Sequence, residues 1–142
     1  MTYPAHIQDM IDDFAFMEDW EDRYSHVIDL GKDLTPLTAS ERNDNTRVKG
    51  CVSQVWLVKD HDPDQPARLV YRGDSDAHIV KGLVAIVINI FSGQRPQDII
   101  DTNIDNIIVQ LGLAEHLSPQ RSNGLKAMIS QIKHDARTHM SS

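Results

Sequence analysis

The chain has 142 residues, of which 40% are hydrophobic and 25% are charged, a composition typical of one soluble globular domain with its own core. Its formal net charge of -7 argues against nucleic-acid binding, because proteins that follow phosphate backbones need a basic surface. The longest apolar run, residues 83–91, is interrupted by Asn89 and is too short to cross a membrane. We therefore expect neither a nucleic acid nor a membrane as partner.

Cys51 is the single cysteine of the chain, which excludes an intramolecular disulfide. A lone thiol suits a reducing compartment. The first sixteen residues lack the basic and apolar segments of a secretory signal, and they include acidic residues, which are rare in mitochondrial transit peptides. We therefore expect a cytoplasmic protein.

Two helices are predicted near the start of the chain. Pro4 suits a first helical turn, and apolar residues recur at helical spacing as far as Phe14, which predicts a helix over residues 4–17. Asp19 is the expected N-cap of the second helix, and Gly31 is its expected C-cap. The acidic residues of this region fall mostly off the apolar stripes and are interpreted as a solvated face.

A long loop and a hairpin follow. Residues 32–49 have no sustained period and predict a loop of a length that is often functional in compact domains. Strand-forming residues at 53–58 and 67–72 flank a polar turn that contains proline, which predicts an antiparallel hairpin. We expect a third short strand around Arg47 and Val48.

The rest of the chain is predicted to be helical. The most apolar helix has Ser75 or Asp76 as its expected N-cap and ends at Gly93. Its apolar residues cover more than one face, so we expect it to be central. The later helices are predicted to begin at Pro96, at Asn103 or Asp105, and near Ser118–Pro119 or Ser122; the second ends at Gly112 and the last near His139. This order predicts a single α+β domain over residues 1–142, with several helices packed on an antiparallel sheet of about three strands.

Cys51 is the strongest candidate nucleophile. A lone cysteine is more often a small buried hydrophobe than a reactive thiol. Here, however, it follows Gly50, whose missing side chain allows another molecule to approach closely. Arg47 and Lys49 are expected to favour the thiolate, the species that attacks sulfur. The residues expected to shelter the thiol are Val48, Val52 and Val55.

Two metal-site patterns fail on inspection. Asp60, Asp62 and Asp64 alternate like the start of a calcium loop, but Gln65 and Tyr71 stand where that loop needs glycine and glutamate. The histidines are scattered, and no pair has the spacing of four that makes a zinc site on a helix. We therefore expect no metal.

Three segments together resemble the SufE-type family of cysteine desulfuration proteins. They lie in the family's order and spacing, and they are residues 48–57 (VKGCVSQVWL), 73–83 (GDSDAHIVKGL) and 117–125 (LSPQRSNGL). The similarity extends over nearly the whole chain. Val52 departs from the pattern, since related proteins often carry a polar residue there. Two further pairs, Ser53–Gln54 and Asp76–Ala77, are closer to the SufE branch than to the CsdE branch.

The resemblance implies a fold shared with the IscU scaffolds and a role as a sulfur acceptor. A cysteine desulfurase of the SufS type, which uses pyridoxal phosphate (PLP), would transfer sulfur to Cys51 as a persulfide and be stimulated by losing it. The SufBCD scaffold complex would then receive the sulfur for iron–sulfur cluster assembly. The chain itself would bind no cofactor, because the PLP belongs to the partner. It would be a carrier and activator rather than a stand-alone enzyme, and a homodimer is left open.

Three supporting residues are implied by the same resemblance: Arg121, Asp74 and Gly50. Arg121 would orient the cysteine loop or contact the desulfurase, with an ordinary salt bridge as the alternative. Asp74 would tie that loop to the start of the central helix, or else stabilise the turn. Trp56 is interpreted as a core residue.

Two other functions stay open on the residues alone. Cys51 could sense or reduce peroxide through a sulfenic acid, although the chain has no second cysteine to resolve it. Alternatively, the protein could be a non-catalytic interaction module whose cysteine is structural.

Overall fold

The computed structural model describes residues 3–51 and 53–141. Val52, which was predicted to shelter the thiol and which departs from the family pattern, lies outside the described residues. Within them, no helix combines the length and apolar character that a bilayer crossing requires.

The described residues form helices and strands in the predicted general order. They are α1 (Ala5–Ala15), α2 (Trp20–Lys32), β1 (Val55–His61), β2 (Leu69–Ser75), α3 (His78–Phe91), α4 (Pro96–Asp101), α5 (Ile104–Gln110) and α6 (Pro119–Ser141). This arrangement confirms the predicted α+β class, with helices packed on a small antiparallel sheet.

The hairpin carries the sheet. β1 and β2 are antiparallel, with Val55 opposite Ser75 at one end and His61 opposite Leu69 at the other. Val55 and Leu57 are buried while their neighbours in β1 are more exposed, as expected for a strand with one face on the core.

The predicted third strand is wrong within the described part of the chain, where the sheet has two strands. Arg47 makes only an isolated bridge to Trp56, and the N–H of Val48 donates to the carbonyl of Val55 at 2.8 Å. The pairing stops there because Gly50 adopts a φ of +93°, which turns the chain away from an extended path.

Helix α3 is central, as predicted. It packs against α2, against β2 and against α6, and nine of its fourteen residues are buried. It begins at His78 with Ala77 as its N-cap. The predicted N-caps Ser75 and Asp76 do not cap the helix, because both of these side chains bind the backbone of Gln54. Gly93, with a φ of +82°, lies just beyond its end.

Helices α2 and α3 cross in direct backbone contact. Gly31 was expected to be a C-cap, but α2 continues to Lys32 and Gly31 faces the neighbouring helix. A Cβ on Gly31 would lie 2.7 Å from the nitrogen of Gly82, and a Cβ on Gly82 would lie 2.6 Å from the carbonyl carbon of Val27. Glycine is thus required here because there is no space for a side chain.

The remaining helix boundaries agree with expectation to within a few residues. Pro4 is the N-cap of α1, which ends at Ala15 rather than at residue 17. The side chain of Asn103 caps α5 by accepting from the N–H of Asn106. Helix α6 begins at Pro119, one of its predicted starts.

Candidate functional site

The loop of residues 49–54, called the cysteine loop below, connects the isolated bridge to β1. A 2.8 Å hydrogen bond from the N–H of Val48 to the carbonyl of Val55 closes it at its base. The φ of +93° at Gly50 is a conformation that favours glycine. A Cβ on Gly50 would lie 3.4 Å from the Cβ of Ala127, so the loop rests on α6 just before its cysteine.

The far end of the cysteine loop is fastened to the start of α3. The N–H of Gln54 donates to Oδ1 of Asp76 at 3.0 Å, and the hydroxyl of Ser75 donates to the carbonyl of Gln54 at 2.7 Å. The N–H of Asp76 donates in return to that same carbonyl at 3.2 Å. The loop is therefore held at both ends while its middle carries the thiol.

The thiol of Cys51 points toward α6. It is half-buried, and its Sγ donates to the carbonyl of Gly124 at 3.5 Å. A Cβ on Gly124 would lie 3.5 Å from this sulfur, which is ordinary van der Waals contact. The cysteine thus contacts a helix position that has no side chain.

A cavity of about 280 Å³ opens beside the thiol, between the cysteine loop, α3 and the first turns of α6. Its apolar wall comes from α3 and α6 and consists of Val80, Leu83, Leu125 and Met128. Its other lining residues are Ser53, Ser118, Gln120, Arg121 and Gly124. A cavity that combines an apolar wall with polar lining residues suits a small polarizable group that is held away from bulk water.

A second concavity lies on the other side of the cysteine loop. It is lined by Asp44, Arg47, Val48, Lys49, Gly50 and Cys51 itself. Cys51 therefore borders both the cavity against α3 and α6 and a groove that carries two basic residues. The described residues contain no group of three or more His, Cys, Asp or Glu side chains placed to hold a metal ion.

Burial raises the pKa of the Cys51 thiol above its ordinary value, and the positive charge of Arg47 only partly counteracts this effect. The charge of Arg47 favours the thiolate, as expected, but burial has the larger effect on the pKa of Cys51. Desolvation prevails because the sulfur lies against apolar side chains. In this conformation the thiol is protonated at neutral pH.

Arg121 lines the cavity beside Cys51. Its side chain is half-buried and lines the same space as Cys51, while its N–H donates to the hydroxyl of Ser118 at 3.4 Å. Among residues 3–51 and 53–141, no ion pair involves Arg121. The alternative interpretation, in which Arg121 forms an ordinary salt bridge, is therefore not supported by any acidic partner among these residues.

Asp74 lies apart from the cavity. It is 5% exposed and pairs with Lys81 at 3.4 Å. Its carboxylate also accepts from the N–H of Ser75 at 2.8 Å and from the N–H of Leu37 at 3.5 Å. Asp74 thus joins the end of β2 to α3 and to the long loop, whereas the tie between α3 and the cysteine loop is made by its neighbours Ser75 and Asp76.

The long loop before the cysteine is fastened to the hairpin. Glu41 forms an ion pair with Arg72, and this guanidinium holds the pKa of the Glu41 carboxyl at about 2. The guanidinium of Arg42 lies 5.8 Å from the ring centre of Trp56. Trp56 is only half-buried, so its interpretation as a core residue is wrong.

The residues that the sequence did not single out come mainly from α3 and α6. Gly124 is the most informative of them, because glycine weakens a helix interior and so marks a special contact. The helical pattern around it was visible in the sequence. Which atom it contacts depended on how the cysteine loop folds back onto α6.

Comparison with known proteins identifies the family. The family model described as "SufE: Fe-S metabolism associated domain" matches residues 8–136. A SufE-like protein of Rhizobium meliloti (strain 1021) is 50% identical over 131 residues, which cover 92% of this chain and 94% of the relative. A SufE-like protein of Rhizobium etli is 47% identical over 137 residues, covering 95% and 92% respectively.

A solved structure shares the fold at much lower identity. It is the solution structure of a hypothetical protein from Thermus thermophilus, with a TM-score of 0.77 and 17% identity. The match covers 99% of this chain and 100% of that one. The chain belongs to the SufE family, which implies a sulfur acceptor in iron–sulfur metabolism that interacts with a cysteine desulfurase.

Proposed function

We propose that Cys51 carries sulfur as a persulfide. The sulfur comes from a PLP-dependent cysteine desulfurase of the SufS type and goes to the SufBCD scaffold complex in the cytoplasm. The observation that carries this proposal is the thiol held against the carbonyl of Gly124 at 3.5 Å, at the edge of a cavity of about 280 Å³ that has one apolar wall. A carrier needs this combination of one sulfur nucleophile and sheltered space next to it.

The transfer is an exchange between a thiolate and a divalent sulfur. The Cys51 thiol first loses its proton to solvent or to a base, and its sulfur then attacks the outer sulfur of the desulfurase persulfide. One S–S bond forms at Cys51 and one breaks on the donor, whose cysteine leaves as a thiolate with the electron pair. The step needs no cofactor on this chain, because the PLP acts earlier, in the partner.

The protonated state of the resting thiol supports a carrier that reacts only with its partner. Only a thiolate attacks readily, and burial of Cys51 in this conformation raises its pKa. Contact with the partner that shifts the thiol toward the groove of Arg47 and Lys49 would restore hydration and bring it nearer to positive charge. Reactivity would thus depend on docking.

The supporting residues have distinct parts in this proposal. Gly50 makes the turn that places Cys51 on α6, and Arg121 lines the same cavity as Cys51. Asp74 stabilises the packing of β2 on α3 through its ion pair with Lys81. Removing sulfur from the desulfurase frees its cysteine for another cycle, so the same reaction stimulates the partner.

The burial that suits a carrier argues against the peroxide alternative. A peroxidatic cysteine reacts as a thiolate in an electropositive, accessible setting. Cys51 is half-buried and its pKa is raised. A peroxide-consumption assay with a thiol reductant is expected to give no turnover above a Cys51→Ser control.

The test mixes the protein with a SufS-type desulfurase and free cysteine and follows the intact mass of this chain. We expect added mass equal to one or more sulfur atoms, removed by a reductant, together with faster alanine production by the desulfurase. Cys51→Ser is the matched control and is expected to gain neither mass nor the stimulating effect. A chain that stays unmodified, or a variant that is labelled equally, would overturn the proposal.

A further inference from the structure

We propose that Gly124 is a specificity-determining residue for the loaded state: the space left by its missing side chain receives the outer sulfur of the Cys51 persulfide. This inference rests on the proposed function and deepens it. It assigns to one α6 residue the task of distinguishing the persulfide from the thiol.

The position of Gly124 in α6 calls for an explanation. It lies within a helix that runs from Pro119 to Ser141, where alanine would be the more stable choice. Elsewhere in the molecule such glycines are explained by backbone contact, as at Gly31 and Gly82, where an added Cβ would lie within 3 Å of main-chain atoms. No such contact explains Gly124.

The neighbours of Gly124 are the sulfur and the Cβ of Cys51. An added Cβ would lie 3.5 Å from the sulfur and 3.9 Å from the cysteine Cβ, and nothing nearer is found among the described residues. The thiol form therefore tolerates alanine at this position. The glycine is needed only if something larger than a thiol must fit there.

A persulfide is larger by one sulfur atom. Its outer sulfur is bonded to Sγ at about 2.05 Å, the length of an S–S bond, so it must occupy space directly beside Sγ. Sγ already donates to the carbonyl of Gly124, and the cavity that opens next to it is lined by Gly124, Leu125 and Met128. A methyl group on residue 124 would project into that space and crowd the outer sulfur.

The experiment loads Cys51 without the desulfurase, by means of inorganic polysulfide. The Cys51 thiolate attacks a sulfur of the polysulfide, one S–S bond forms and one breaks, and the shorter sulfide leaves with the electron pair. Cyanide then removes the outer sulfur: its carbon attacks that sulfur, the S–S bond breaks, Cys51 leaves as a thiolate, and thiocyanate is formed. The rate of thiocyanate formation reports how well the outer sulfur is sheltered.

Gly124→Ala is expected to release its outer sulfur about tenfold faster than the unmodified protein, a factor that corresponds to modest overpacking. Its far-UV circular dichroism spectrum is expected to match that of the unmodified protein, because the thiol form tolerates alanine at this position. Asn123→Ala is the matched control, because Asn123 is exposed on the same helix and gains similar helix propensity. Its thiocyanate rate is expected to be unchanged.

Equal thiocyanate rates for Gly124→Ala and the unmodified protein would overturn the inference, and so would a failure of polysulfide to load Cys51. The unmodified protein supplies a second readout that does not depend on a variant. The NMR amide signal of Gly124 is expected to shift on loading, and an unchanged signal would also contradict the inference. Transfer from the desulfurase does not enter these measurements, so the proposed function can fail separately.

Discussion

Two glycines in helices of this molecule meet opposite surroundings. A Cβ on Gly82 in α3 would lie 2.6 Å from the carbonyl carbon of Val27, whereas a Cβ on Gly124 in α6 would lie 3.5 Å from the sulfur of Cys51. The first glycine allows two helix backbones to touch. The second leaves space beside a reactive atom.

This difference distinguishes the structural framework, represented by the α2–α3 crossing, from the candidate functional site beside Cys51. At the α2–α3 crossing there is no space for a Cβ on Gly31 or Gly82, and densely packed protein interiors resist even small additions. Beside Cys51 the fold keeps a cavity of about 280 Å³ and suspends the cysteine loop between anchors at Val48 and Gln54. We expect substitutions in the framework to change stability and substitutions at the site to change sulfur chemistry.

The largest effect is expected for Gly82→Ala. Its added methyl group would meet main-chain atoms of Val27, which can move only if α2 and α3 separate, so we expect a loss of about 3 kcal/mol in the free energy of unfolding. Urea denaturation followed by circular dichroism measures it. Gly124→Ala is the matched comparison and is expected to be at least as stable as the unmodified protein. Equal losses of stability in both variants would contradict the distinction between the framework and the site.

A smaller loss is expected for Asp74→Asn. This change keeps the shape of the side chain but removes the charge that faces Lys81, in a position only 5% exposed. We expect a loss of about 1–2 kcal/mol, in the range of hydrogen bonds to charged groups. Thermal or urea denaturation measures it.

The matched control for Asp74 is Lys32→Ala, which removes the exposed pair with Asp29. Exposed pairs contribute little, so its stability is expected to change by less than about 0.5 kcal/mol. If Asp74→Asn left stability unchanged while altering the rate of thiocyanate release, Asp74 would belong to the site and not to the framework.

The reactivity of the resting thiol gives the next prediction. Because burial raises the pKa of Cys51, its alkylation at neutral pH is expected to be slower in the folded protein than in urea, and to increase with pH beyond the ordinary thiol range. The same shift means that the folded state retains the proton longer than the unfolded state. Stability is therefore expected to fall as the pH rises above the ordinary thiol pKa.

Arg47→Ala sharpens that prediction. Arg47 is the cation that lowers the Cys51 pKa, so removing it is expected to raise the pKa further and to slow alkylation at neutral pH. Iodoacetamide rates measured against pH give the comparison. Faster alkylation of the folded protein than of the unfolded chain would contradict this description of the resting site.

The smallest effect is expected for Glu41→Gln. Pairing with Arg72 lowers the Glu41 pKa to about 2, so the pair contributes stability above the ordinary carboxyl pKa and loses it as the pH falls toward 2. The variant is expected to lose slightly in stability at pH 7 and to show a weaker acid dependence. Urea denaturation at pH 7 and pH 3 tests this, and an identical acid dependence in both proteins would contradict it.

The sequence predicted most of the framework because its signals are local. Asn103 and Pro119 mark helix starts by capping and by a fixed φ, and the crowded apolar residues of α3 indicate a buried helix. Gly31 was misinterpreted because a glycine that ends a helix and a glycine at a helix crossing look alike in one dimension. The prediction of a third strand was wrong for a related reason, because the turn at Gly50 limits pairing with β1 to one bridge.

The site was predictable in its chemistry but not in its geometry. Cys51 was identified as the lone thiol that follows a glycine, Arg121 was identified through motif resemblance, and the structure places both at one cavity. The raised pKa of Cys51 could not be foreseen, because nearby basic residues in sequence say nothing about the desolvation imposed by α3 and α6. Gly124 escaped notice for the same reason: its partner lies 73 residues away along the chain.

The most direct test of the account locates the transferred sulfur on the chain. Isotopically labelled cysteine is supplied to a SufS-type desulfurase in the presence of this protein, free thiols and persulfides are capped, and the digested peptides are sequenced by mass spectrometry. We predict labelled sulfur on the peptide that contains Cys51, bonded to its Sγ. Label found only on the desulfurase or released as sulfide, with the Cys51 peptide unlabelled, would contradict the account.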